Sequence, residues 1–250
     1  MNYAAARVAG LLGLTILLAL AGSADAAGVN AFWKELGGSA SGGGISKLPL
    51  AGNVSANSAQ VAFGSDSLPV VAYVTGPIGV TRVAAPIAVK RWTGTAWQDL
   101  SPAVMGFETR IAIGPTGTRY LSWLEDDGSG AQVHLLQRTA SGTSWTTVGS
   151  ANSSQITSLN SSGVFSHALA VGSDNKPAVA IDTLAQTGLP TGSHGVVQGT
   201  HQIYVLRFNG TAWEYLGGDP TTGGGASNAV SLFVDGTNYA THEASSPSLT

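Results

Sequence analysis

The chain has 250 residues, no Cys, and a formal net charge of −3 from 11 Lys plus Arg against 14 Asp plus Glu. Without Cys there is neither a disulfide framework nor a thiolate site. The sparse and evenly mixed charges lack the basic stripe that nucleic acid or an anionic membrane surface requires.

Met1–Arg7 carries one positive side chain, Val8–Ala21 is uncharged and apolar, and Gly22-Ser23-Ala24-Asp25-Ala26-Ala27 supplies small residues. That order predicts a Sec signal peptide cleaved after Ala26, because the apolar stretch is shorter than the ~20 residues of a membrane-spanning helix. The expected location is therefore secreted or periplasmic, with residues 27–250 as the mature chain. Its composition, with 34 Gly and only 10% charged residues, favours strands and turns.

Trp33-Lys34-Glu35-Leu36-Gly37-Gly38 comes first and reads as the last strand of a unit. Phe63-Gly64-Ser65-Asp66-Ser67-Leu68-Pro69-Val70-Val71-Ala72-Tyr73 follows, a polar turn between two strands. Val89-Lys90-Arg91-Trp92-Thr93-Gly94-Thr95-Ala96-Trp97 then reads as a hairpin whose Gly supplies the left-handed turn residue.

The same pair of signals returns in Ile113–Trp123 and in Leu136–Trp145. It returns again in Val171–Ile181, with Gly172-Ser173-Asp174-Asn175-Lys176-Pro177, and in Val205–Trp213. Phe233–Thr241 is a shortened further copy. Trp33, Trp97, Trp145 and Trp213 each open Trp-x-x-(Leu/Val), at spacings of 64, 48 and 68 residues, while Gly94, Gly142 and Gly210 each stand three before a Trp.

Each unit thus reads as four antiparallel strands. Such a sheet cannot bury both faces alone, so units must stack, and radial stacking gives a β-propeller. The expected fold is all-β: about three complete four-stranded antiparallel blades plus partial blades at both ends. It forms either an incomplete arc of a longer propeller or a closed four-bladed ring. An open arc exposes sheet edges, so self-association of the chain is expected.

These repeats, Ser-Asp-x-x-Pro-x-Val-Ala with Arg-(Trp/Phe)-x-Gly-Thr-Ala-Trp-x-x-Leu-Gly-Gly, resemble those of secreted bacterial β-propeller proteins of the kelch-like and sialidase-like kinds. The resemblance implies a propeller and leaves activity open, since many functions sit on that fold. Of the sialidase Asp-box the chain keeps the Gly. The Asp position, five before Trp, holds Trp92, Ala140 and Phe208.

Recurrence once per unit assigns Trp97, Trp145 and Trp213 to packing between units, against the alternative of stacking platforms for sugars. Arg91, Arg138 and Arg207 recur at similar places and read as flanking their own unit's Trp, against a carboxylate clamp. Glu125-Asp126-Asp127-Gly128-Ser129-Gly130 lacks the ligand spacing of an EF-hand and reads as a solvated acidic turn. His194 and His201, in a Gly-rich loop, are the candidate ligand-binding residues.

No Gly-x-Ser-x-Gly, His-Glu-x-x-His or Cys nucleophile occurs, and neither cofactor nor metal is expected. A carboxylate pair drawn from two units among Asp99, Glu108, Asp182, Glu214 and Asp219 stays open. The expected function is non-catalytic recognition or surface structure, with a glycan or protein as ligand and no nucleic acid. The alternative is a sialidase-like glycoside hydrolase or lyase whose site lies in blades outside this chain.

Overall fold

The computed structural model describes residues 35–38, 44–48, 54–77, 82–126, 128, 130–149, 154–157, 163–184, 201–217, 231–234 and 238–241. Residues 1–26, expected from sequence to be a signal peptide, lie outside the described residues, as do Trp33 and His194. The chain divides into two compact units, Met1–Gly44 and Ile45–Thr250, and every described strand belongs to the second.

The described residues are all-β and antiparallel. β1 (Val54–Phe63), β2 (Pro69–Pro77), β3 (Ala85–Trp92) and β4 (Trp97–Asp99) pair in succession as a meander. So do β5 (Met105–Ile113), β6 (Arg119–Asp126), β7 (Ala131–Arg138) and β8 (Thr146–Thr147). The third set is β9 (Val164–Val171), β10 (Pro177–Leu184), β11 (His201–Phe208) and β12 (Trp213–Leu216). A hairpin of β13 (Ser231–Val234) and β14 (Asn238–Thr241) follows. A short pairing of Ala85 with Gly106 and Pro86 with Met105 joins the first two meanders into one eight-stranded sheet. The third meander is a separate four-stranded sheet.

Side chains alternate across a strand, so one strand can serve two cores. β6 does so. Leu121 and Trp123 enter a cluster with Val70, Ala72 and Val74 of β2 and Ile87 and Val89 of β3. Tyr120 and Leu124 enter a second cluster with Val179 and Ile181 of β10 and Tyr204 and Leu206 of β11. The second meander therefore contributes to both apolar layers, one shared with the first meander and one with the third. Each fully buried Leu, Ile or Val contributes about 1.5–3 kcal/mol. Strands with one solvated face show in-out alternation, whereas β2 and β6 are buried almost throughout.

The first strands of the meanders, β1, β5 and β9, are neighbours in sequence of contact, β1 beside β5 and β5 beside β9. They are joined by side chains instead of a ladder: Thr109 Oγ1 donates to the Ser58 carbonyl at 3.0 Å, and Arg110 Nε donates to the His167 carbonyl at 3.0 Å. Each of the three carries a register shift against its own partner strand, at Asn57/Gln60, at Phe107/Arg110 and opposite Asp182/Thr183. Ser58 and Glu108 sit on the first two shifts with φ of 52° each. A β-bulge bends a strand and re-aims its side chains, and non-Gly residues at positive φ there are strained.

Candidate functional site

The repeat anchors take different places along the sheets. Trp97 opens β4 opposite Trp92, ring centroids 5.5 Å apart, and Trp213 opens β12 opposite Phe208 at 5.7 Å. Trp145 stands just before β8, packs against the cluster shared by the first two meanders, and donates its indole N–H to the Leu100 carbonyl of the preceding unit. Trp213 packs against the cluster shared by the second and third. Gly94 and Gly210 turn their hairpins at φ of 99° and 114°. At Gly142 the constraint is steric, because a Cβ would stand 2.6 Å from Thr139 Oγ1. His201 begins β11, paired with Leu184.

Register also separates the recurrent arginines. Arg91 lies opposite Val70 and Arg207 opposite Ala178, each against the second residue of its partner strand. In the second meander that place belongs to Gln137, opposite Tyr120, while Arg138 faces Arg119. Arg138 is therefore not the counterpart of Arg91 and Arg207. The acidic turn folds on itself, Asp126 Oδ1 accepting from the Gly128 N–H at 2.9 Å. Among the described residues no group of three or more His, Asp or Glu is placed to hold a metal ion, and no helix is long and apolar enough to cross a membrane.

The bulged ends of β1, β5 and β9 gather polar chemistry that no local motif announces. A cleft of about 360 Å³ opens there, lined by Asn57, Ser58, Gly76, Arg82, Phe107 and Glu108 among others. Arg82 precedes β3 and spans to the third meander: its guanidinium donates to the carbonyls of Phe165 at 2.7 Å and Val164 at 3.0 Å. It also lies 5.1 Å from the Phe107 ring centroid and 3.7 Å from Glu108 Oε1.

Glu108 is held at the strained bulge, and its Oε2 is shielded from solvent with no hydrogen-bond partner among the described residues. Burial raises its pKa above the usual carboxylate value, Arg82 and Arg110 oppose that rise, and Asp182 of the third meander adds to it. A carboxylate in such surroundings accepts a proton or a donor hydrogen bond more readily than one in water.

Behind the cleft His167 on β9 is 1% exposed, with Nε2 2.9 Å from Ser122 Oγ and Nδ1 buried with no partner among the described residues. Burial, aided by Arg110, lowers its pKa to about 3, so it is neutral across the physiological range. The imidazole is a polar strut between β9 and β6. Asp182, 3% exposed, closes the cluster from β10.

The sequence matches no protein-family model and no curated protein.

Proposed function

We propose that the chain is a secreted, non-catalytic recognition module of the β-propeller type, with carbohydrate as its ligand class and the Glu108 cleft as its binding site. Three successive four-stranded meanders support the propeller reading, as do first strands that run side by side and a middle meander buried on both faces. The charged, apolar and small-residue order of residues 1–27 supports export.

The observation that carries the ligand reading is Glu108: a strained, half-buried carboxylate with one oxygen unpaired among the described residues, beside Asn57, Ser55 and Ser58 and the ring of Phe107. Sugar sites combine hydrogen-bonding groups of this kind with an apolar face. A glycan array with the wild-type chain and Glu108→Gln tests it. Binding of a defined glycan family by the wild type, lost in the variant, is expected. Uniform absence of binding would leave the structural role.

A second reading, glycoside hydrolysis, draws on one observation: Glu108 and Asp182 come from two meanders, and the Asp182 carboxylate adds to burial in raising the Glu108 pKa. A raised-pKa acid beside a second carboxylate is the arrangement glycosidases use. Asp182 is 3% exposed, which keeps it from a substrate and favours recognition. Release of the aryl alcohol from any of a panel of aryl glycosides, abolished in Glu108→Gln, would reverse that preference.

A further inference from the structure

We infer that Arg91, Arg119 and Arg138 form a binding site for an oxyanion, a carboxylate or sulfate group carried by a small ligand, at the turn end of the first two meanders. This end is opposite the Glu108 cleft, since it is built from the β1–β2, β5–β6 and β7–β8 connections. The inference stands independently of the carbohydrate reading.

It comes from comparing the three units. In the first, Asp66 of the β1–β2 turn accepts from Arg91 at 2.8 Å; in the third, Asp174 of the β9–β10 turn accepts from Arg207 at 2.7 Å. The second unit replaces both members: Thr116 stands at the turn position and Gln137 at the arginine position. It then adds two cations of its own. Arg119 opens β6 where Pro69 and Pro177 open β2 and β10, and Arg138 closes β7 where Trp92 and Phe208 close β3 and β11.

Arg119 and Arg138 are direct register partners. Like charges directly opposite on adjacent strands are destabilising, and Arg119 is also 7% exposed, so its desolvation adds to the cost. Burial, then Arg91 and Arg138, hold its pKa below the ordinary arginine value. Protein groups compensate little. Arg119 Nη1 donates to the Thr139 carbonyl at 3.4 Å, its Nε is buried with no partner among the described residues, and Arg138 Nε donates to Gly142 O at 2.9 Å. The one carboxylate that lines the cleft among the described residues, Asp66, is already engaged by Arg91.

The three guanidiniums line a cleft of about 410 Å³ together with Ser65, Ser141 and Thr143. Guanidinium forks match the paired oxygens of carboxylate and sulfate, and hydroxyls can take the third oxygen or a neighbouring polar group. Clefts of this size are in the range that holds small ligands.

Calorimetric titration of the full chain with D-glucuronate, sodium sulfate and D-glucose, at ionic strength matched with sodium chloride, tests the site. Binding of glucuronate or sulfate but not of glucose is expected, and the tighter of the two anions identifies which oxyanion the ligand carries. Arg119→Gln should weaken that binding at least tenfold. Thr116→Asp, which restores the carboxylate of the other two units inside the cleft, should weaken it as much while the unliganded melting temperature holds or rises. No heat from either anion beyond chloride would overturn the inference, as would anion affinity unchanged in Thr116→Asp.

Discussion

His167 gives a stability prediction whose size follows from burial. In the folded chain it takes up a proton only near pH 3, against 6.5 for an unperturbed imidazole. Its folded pKa is depressed, so the stability it contributes is present above pH 6.5 and is lost as pH falls from there toward 3. Over that window the unfolded chain holds one more proton, and each pH unit costs about 1.36 kcal/mol. Between pH 7.5 and 5.0 the loss is about 2 kcal/mol. At a urea slope of ~2–3 kcal/mol/M this moves the midpoint down by ~0.7–1 M. His167→Gln keeps a hydrogen-bonding group near Ser122 Oγ but does not titrate. Urea unfolding of both proteins at the two pH values isolates the residue from the other four histidines of the chain. A midpoint that falls equally in wild type and variant would refute a buried neutral His167.

Other consequences are checked as directly. Gly106→Ala should cost at least about 1–3 kcal/mol in urea unfolding, because the added Cβ would stand 2.1 Å from Trp123 Cδ1 and 2.7 Å from the Leu124 carbonyl. Glu108 has a raised folded pKa, so wild-type stability should decline as pH rises through that pKa while Glu108→Gln stays flat there; parallel curves in thermal unfolding would contradict the burial argument. Against the opposing pull of partial burial, Lys90 and Ser101 hold Asp99 at about 2, and its carboxyl carbon should titrate there by NMR, moving up in Lys90→Met. Val61 and Phe63 are 56% and 61% exposed on the same face of β1, at the end of the sheet. Light scattering should show self-association that Val61→Thr/Phe63→Thr reduces.

The strand plan was legible because each meander is punctuated by chemistry that short sequence carries. Gly64-Ser65-Asp66 and Gly172-Ser173-Asp174 mark turns, Asp66 and Asp174 accepting from the backbone N–H two residues on. Thr93–Ala96 and Asn209–Ala212 close tight hairpins before their Trp. In the second unit the likeness of Arg138 to Arg91 and Arg207 was misleading, because the connection Thr139–Trp145 is longer than its counterparts. The ladder, fixed by Leu121 opposite Leu136, then places Arg138 one position away from the Arg91 site.

The candidate site was opaque for a different reason. Arg82, Glu108, His167 and Asp182 come from four strands or loops in three units, so no spacing relates them. Glu108 and Ser58 take positive φ without the Gly or Asn that would announce it. His167 sits in an alternating strand, Val164–Val171, where the pattern alone points neither to burial nor to Ser122 as its partner. The arginine cleft was half visible: Arg91 and Arg138 stood out, but the presence of Arg119 and the convergence of all three depend on register and on Thr116 replacing an Asp.

Both clefts exist only if consecutive meanders stack face to face. The direct measurement is nuclear Overhauser contact between meanders in the isotopically labelled chain. Cross-peaks are predicted from the Trp145 indole N–H to Leu100, from the Tyr120 ring to Asn175, whose carbonyl accepts from Tyr120 OH at 2.7 Å, and from Arg110 Hε to His167. A spectrum with cross-peaks inside each meander but none of these three would show sheets that do not stack, and would contradict the account.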